Sequence, residues 1–247
     1  MTDLGSFLHT THDEPIPSRV LVVVAHPDDI DFGSAGTIAT FTDHGVEVIY
    51  GLVTDGDAGE PAHLSPPQLR EIRHAEQAAA AKIVGVTELH WLGAKDGAVV
   101  ADLELRRCVS RLIRTVRPDL VITQSPVRDL DRIYAAHPDH LAVGEATTCA
   151  VYPDSRNTHS FPELLHEGLE PHAVHRLWLM GGPAPNVFVD IAHNLDRKVE
   201  ALLAHDSQNG SRAEHLPALI TDWAGDCARR SGLDGQLVEA FRSIDTR

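Results

Sequence analysis

Three ionisable side chains, His26, Asp28 and Asp29, stand within four residues around Pro27, directly after the apolar run Val20 to Val24. A second cluster, His137-Pro138-Asp139-His140, repeats the histidine-proline-aspartate order more than a hundred residues later. Imidazoles and carboxylates are the ligands a catalytic zinc site uses while leaving one position open. The two clusters together can supply a His/Asp/His ligand set, with Asp28, His137 and Asp139 left over for proton transfer. One such tripeptide alone reads equally well as a turn with a helix cap. Two in one chain make that reading much weaker.

Both clusters need a frame that brings them together. Arg19 to Val24 reads as a buried strand running into a polar loop, with a helix over about Ser34 to His44 closed by Gly45. Val46 to Val53 reads as the next strand, ending in the loop that begins Thr54-Asp55-Gly56. Pro66-Pro67 opens a long helix over Gln68 to Val84, whose apolar stripe is Ile72, Ala75, Ala79 and Ile83. Leu89 to Leu92 is a third strand that feeds a loop holding Asp96. Leu103 to Val116 is helical, Leu120 to Thr123 is a fourth strand, and Leu141 to Val151 is helical. Alternation of this kind predicts an α/β fold, a Rossmann-like, doubly wound, mostly parallel sheet in three αβα layers. Loops at the carboxyl ends of its strands are where ligands bind.

Beyond Tyr152 the pattern weakens. Tyr152 to Pro171 reads as an active-site flap over a plain connector. Strand character resumes at Arg176 to Met180 and Val187 to Ile191, and Asn194 to Ala204 is helical. The remainder, broken at Gly225 and Gly232, reads as a C-terminal helical appendage. Residues 1–18 read as a flexible lead-in, and residues 19–247 as one domain.

A chain of 247 residues that is 43% hydrophobic can bury one core, and its formal net charge of -15 argues against nucleic acid or an anionic membrane as partner. A small polar substrate is the expected partner instead. No apolar run approaches spanning length and no leader is evident, so a cytoplasmic setting is expected. Cys108, Cys149 and Cys227 have no metal-like spacing and read as buried thiols of a reducing compartment. Arginine outnumbers lysine 18 to 3, a coding bias that hints at a bacterial source.

On these residues the chain resembles the LmbE-like, or PIG-L, family of metal-dependent N-deacetylases. The resemblance rests on Ala25-His26-Pro27-Asp28-Asp29, Gly36-Thr37-Ile38-Ala39, Thr54-Asp55-Gly56, Arg73-His74-Ala75-Glu76 and His137-Pro138-Asp139-His140, and runs from about Arg19 to Gln208. It implies Zn2+ held by His26, Asp29 and His140, a mixed set that iron(II) or cobalt(II) would also accept. It implies Asp28 as general base, His137 as an imidazolium facing the substrate, and Asp139 as the carboxylate that orients a histidine. Substrate contacts carry over onto Arg73 and Asp96, which would otherwise be unremarked surface residues. Two departures stand out: Ile30, followed by Asp31, occupies the position where relatives have glutamate, and Ala135 stands where some members have tyrosine, with Tyr134 one place away.

The implied reaction is removal of an N-acetyl group from a glucosamine-containing small molecule by metal-activated water, and the resemblance also implies assembly as a homo-oligomer, as is common among family members. An amidase for thiol S-conjugates is the alternative within the family. A dinuclear phosphoesterase would need about twice as many ligands. A non-catalytic sugar-binding module would not need Asp28 beside the ligand set.

Overall fold

The computed structural model describes residues 4–130 and 133–247. Its strands, in chain order, are β1 (Leu8–Thr10), β2 (Arg19–Val24), β3 (Glu47–Thr54), β4 (Glu88–Ala94), β5 (Leu120–Gln124), β6 (Arg176–Met180), β7 (Val187–Asp190) and β8 (Val238–Asp245). The helices are α1 (Asp29–Asp43), α2 (Pro66–Ile83), α3 (Leu103–Val116), α4 (Pro138–Val151), α5 (Pro162–His166), α6 (Leu195–Leu203), α7 (Asp206–Asn209) and α8 (Leu216–Arg230). All eight strands form one sheet in the order β1-β7-β8-β6-β5-β2-β3-β4. The run from β4 to β6 is parallel, while β8, β7 and β1 continue it antiparallel.

β2 shows why the centre lies where it does. Val20 to Val24 are fully buried, as a parallel strand covered on both faces requires. Their side chains alternate between two cores. Val20, Val22 and Val24 pack with Ile38 and Phe41 of α1 and Ala80 of α2, whereas Leu21 and Val23 pack with Val109 and Ile113 of α3 and Val143 and Ala150 of α4. Each such aliphatic side chain contributes about 1.5–3 kcal/mol on burial. The chain leaves β2 for β3 and β4 on one side and returns to β5 on the other. The topological switch therefore falls between β2 and β5, at whose carboxyl ends the two histidine clusters lie. Gly144 lets α4 close onto the end of β5, since a Cβ there would stand 2.3 Å from the Gln124 carbonyl oxygen.

Four expectations are corrected. The carboxyl-terminal stretch is not only helical: β8 inserts between β6 and β7, and its buried Glu239 meets the Lys198 ammonium at 2.5 Å and accepts from Gly36 N and Thr37 N of α1. Residues 8–14 of the lead-in are tied to the sheet, because β1 pairs with β7 and Glu14 accepts from Trp178 Nε1 and Ser243 Oγ at 2.7 Å each. The stretch after Tyr152 is no flap. Buried Arg114 donates to the carbonyls of Asp154, Ser155, Asn157 and Ser160, and Arg106 grips the Asp154 carboxylate with two bonds of 2.9 Å. Nor are the cysteines fully buried; each is half-buried.

Candidate metal-dependent active site

Four loops at the carboxyl end of the sheet build the site. The β2–α1 turn and the first residue of α1 carry His26, Asp28 and Asp29; the β3–α2 loop carries Asp55 to Gly59; the β4–α3 loop carries Asp96, Gly97 and Val99; and the β5–α4 loop with the first turn of α4 carries His137, Asp139 and His140. The sequence suggests an extended loop through Asp28 and a helix from about Ser34. The helix instead begins at Asp29, and Asp28 is its N-cap with φ 82 and ψ -23, in the left-handed region. Such a conformation costs a residue other than glycine about 1–3 kcal/mol, and aspartate is among the side chains that tolerate it best. The adjacent aspartates face different partners, Asp28 towards Arg73 and Asp29 towards His26 and His140.

Asp29 Oδ2 lies 3.3 Å from His26 Nδ1 and accepts from His26 N at 2.7 Å, while its Oδ1 lies 3.0 Å from His140 Nε2. The other His26 nitrogen, Nε2, faces Asp96 Oδ1 at 3.1 Å and Asp139 Oδ2 at 3.3 Å. Asp139 is held in turn by Gly97 N (2.8 Å) and Val99 N (3.2 Å), and Asp96 by Ala58 N (2.9 Å). His137 caps α4, its Nδ1 accepting from Asp139 N at 3.2 Å, and its ring centre lies 5.0 Å from that of His26 and 5.3 Å from that of His140.

The field matches this geometry. Burial alone would lower the His26 pKa, yet Asp29 and Asp96 raise it to about 11. Burial also opposes the shifts of the Asp29–His140 pair, and their mutual attraction outweighs it, holding Asp29 well below the usual carboxylate range and His140 above the usual histidine one. His137 is lowered, by burial first and then by the charges of His26 and His140. Asp28 is raised to about 6 by burial, against the pull of Arg73 and with the push of Asp29. Three carboxylates converging on one imidazole make a strongly cation-favouring spot. The donor atoms of His26, His137 and His140 lie within 4.8 Å of one another, as do those of His26, Asp96 and Asp139. With Asp29 reaching both His26 and His140, this mixed imidazole and carboxylate set suits a divalent metal.

The two expected substrate contacts, Arg73 and Asp96, both lie beside the histidine cluster. Arg73 is not a surface residue: it is 5% exposed, and it donates through Nη1 to Gly56 O (2.9 Å) and through Nη2 to Pro27 O (2.6 Å), with Nη2 3.5 Å from Asp28 Oδ2. Gly56 makes room for it at φ +68, where a Cβ would lie 2.5 Å from Nη1. Asp96 faces His26. The side chain of Tyr134 lies outside the described residues.

Sequence reasoning missed Gln77, Asp31 and His205 as parts of this site. Gln77 Oε1 accepts from Asp28 N at 2.8 Å, Gln77 Nε2 donates to Asp31 Oδ2 at 3.0 Å, and His205 Nε2 lies 2.9 Å from that same oxygen. The available signals were faint: an amide four residues after Arg73 on one helix, and the polar run His205-Asp206-Ser207-Gln208 closing another.

A family model described as GlcNAc-PI de-N-acetylase, PIG-L, matches residues 21–151, spanning both histidine clusters. The chain belongs to the PIG-L family. This family of hydrolytic N-deacetylases makes the chain an enzyme of that class. The PIG-L chain is 33% identical over 195 residues to diacetylchitobiose deacetylase of Thermococcus kodakarensis, covering 77% of this chain and 70% of that one. It is 31% identical over 206 residues to a probable N-acetyl-alpha-D-glucosaminyl L-malate deacetylase 2 of Bacillus anthracis, covering 80% and 84%. Its fold superposes with a TM-score of 0.85 on N,N'-diacetylchitobiose deacetylase of Pyrococcus horikoshii, solved with an inhibitor, at 29% identity over 93% of this chain and 85% of that one. No helix among the described residues is long and apolar enough to cross a membrane.

Proposed function

We propose that this chain removes the acetyl group from the 2-amino position of a small N-acetylglucosamine-containing molecule, with one zinc ion held by His26, Asp29 and His140. The observation that carries this reading is the placement of Asp29 between two imidazoles beside a second, separately oriented carboxylate, Asp28. The family relationship supports it, since relatives are named for deacetylating diacetylchitobiose and N-acetylglucosaminyl malate. A cytoplasmic setting fits cysteines held as thiols rather than disulfides.

Asp29 is the preferred carboxylate ligand because both its oxygens already face ring nitrogens, whereas both Asp139 oxygens accept backbone N–H bonds. In this reading Asp96 and Asp139 accept from His26 Nε2–H, so that Nδ1 is the ligand atom and the ring cannot rotate. A bound zinc ion would polarise the amide carbonyl and make water acidic near neutral pH. Asp28, raised towards neutrality yet ionised at pH 7, takes up the proton of the attacking water and later delivers it to the leaving amine. Expected as an imidazolium, His137 is held below its ordinary pKa, and its Nδ1 is occupied as an acceptor. It therefore acts as a neutral Nε2–H donor to the carbonyl oxygen where negative charge develops. Arg73 belongs behind Asp28 and not at the aglycone, because its two Nη groups are committed to loop carbonyls.

The test is elemental analysis of the purified protein, together with a panel of N-acetylglucosaminides assayed for free amine and acetate in equal amounts. Amine release that stops on chelation and returns with zinc is the expected result. Failure of the metal-loaded protein to release amine from any member of the panel would overturn the reading.

A further inference from the structure

Behind Asp28 runs a buried chain of hydrogen bonds that the proposed reaction does not use. It starts at the Asp28 backbone N–H, passes through the Gln77 amide to Asp31 Oδ2, and ends on His205 Nε2. Gln77, Asp31 and His205 are each 0% exposed, and they come from α2, α1 and the junction of α6 with α7. Burying three such groups costs more than an apolar filling of the same space unless they are bonded to one another. The partners also fix the orientation of the Gln77 amide: its nitrogen must face the Asp31 carboxylate, so its oxygen must face Asp28.

The chain starts on Asp28, the site residue other than glycine that is held in the left-handed region. A left-handed residue other than glycine persists where its surroundings over-determine it. Around Asp28, the carbonyl accepts from Asp31 N (2.9 Å) and Phe32 N (3.0 Å), as at any helix start. Arg73 fixes the preceding carbonyl, that of Pro27. The Asp28 N–H is satisfied by Gln77.

We propose that Gln77, braced by Asp31 and His205, is a positioning residue that sets the backbone of Asp28 and thereby the aim of its carboxylate. The inference rests on the reading of Asp28 as the base of the deacetylation.

The experiment uses the full metal-loaded enzyme and the best substrate of the panel. Gln77→Leu keeps a similar size and removes both bonds. It should lower kcat about 10- to 100-fold, the range for groups that orient an essential residue, with KM and metal content little changed. Placed on Asp28→Asn, the same substitution should cost less than about twofold more, because residues acting as one unit are non-additive. His205→Ala should lose part of the turnover, and His205→Gln, which keeps a donor towards Asp31, should recover most of that loss. This second pair decides the matter if Gln77→Leu does not fold. Equal losses from Gln77→Leu in both backgrounds, or a His205→Gln variant no better than His205→Ala, would overturn the positioning role alone. Full turnover in Asp28→Asn itself would overturn the base assignment, and this inference with it.

Discussion

Arg73 Nη2 bonds to the carbonyl of Pro27 at 2.6 Å and stands 3.5 Å from the carboxylate of Asp28, so one buried guanidinium holds both the backbone and the charge of the turn. Arg73→Ala would leave the buried Gly56 and Pro27 carbonyls and the half-buried Asp28 carboxylate without their donor. It is expected to cost about 3–5 kcal/mol and to lower Tm visibly in a thermal melt. Turnover should fall for every substrate alike. Arg73→Lys should rescue little, since a single ammonium cannot reproduce the planar fork. A variant of parental Tm with altered selectivity between N-acetylglucosamine and its glycosides would return Arg73 to the substrate.

Metal retention separates the aspartates. Asp29→Ala or His140→Ala should strip the bound ion, because either change leaves too few ligands, and the loss is read by elemental analysis after dialysis. Full metal content in Asp29→Ala would point to the three histidines His26, His137 and His140, and in His140→Ala to His26, Asp96 and Asp139.

Asp28→Asn should keep its metal and lose about 10²- to 10⁴-fold in kcat, the span of general acid-base catalysis, because an amide accepts no proton. The reverse pattern, with metal lost and turnover restored by added zinc, would exchange the roles of Asp28 and Asp29.

The amino-terminal end of the sheet offers a pH test away from the metal. Asp119 accepts from Ser18 N, Ser18 Oγ and Arg19 N, tying the approach to β2 onto the approach to β5. Burial would raise its pKa, but these bonds lower it below the ordinary value. A carboxyl group with a depressed folded pKa adds stability above its unfolded pKa, and that stability is lost as pH falls through the folded one. Asp119→Asn should therefore destabilise by about 1–2 kcal/mol at pH 7, allowing for its partial exposure, and by much less at a pH low enough to protonate the folded carboxyl. Denaturant melts of both proteins at the two pH values measure this difference. A gap that stayed constant with pH would assign the effect to packing.

The histidine clusters could be read from sequence because metal chemistry restricts residue type and spacing. The strands could be read because a doubly covered β2 leaves an unbroken apolar run. Helix α2 could not. Its apolar stripe of Ile72, Ala75, Ala79 and Ile83 reads as the core face, yet Ile72 is 37% exposed and the buried positions are Leu69, Arg73, Gln77, Ala80 and Ala81. The loops it covers present carbonyls and an amide that need polar partners, and that demand exists only in three dimensions. The left-handed turn at Asp28 is hidden for a related reason, since its supports lie 45 and 49 residues away in sequence, at Arg73 and Gln77. β8 escapes notice because its inward-facing Glu239 reads as a solvent position until Lys198 is seen against it.

The insertion of β8 between β6 and β7 also constrains the order of events during synthesis. β7 joins the parallel strands only through β8, and β1 joins only through β7. Residues 8–10 leave the ribosome before every other strand and must wait for residues 238–245, the last strand to emerge, before their place in the sheet exists. Until then the nascent chain carries β6 as an open edge, and closing it waits for pairing with β8, about sixty residues further along the chain.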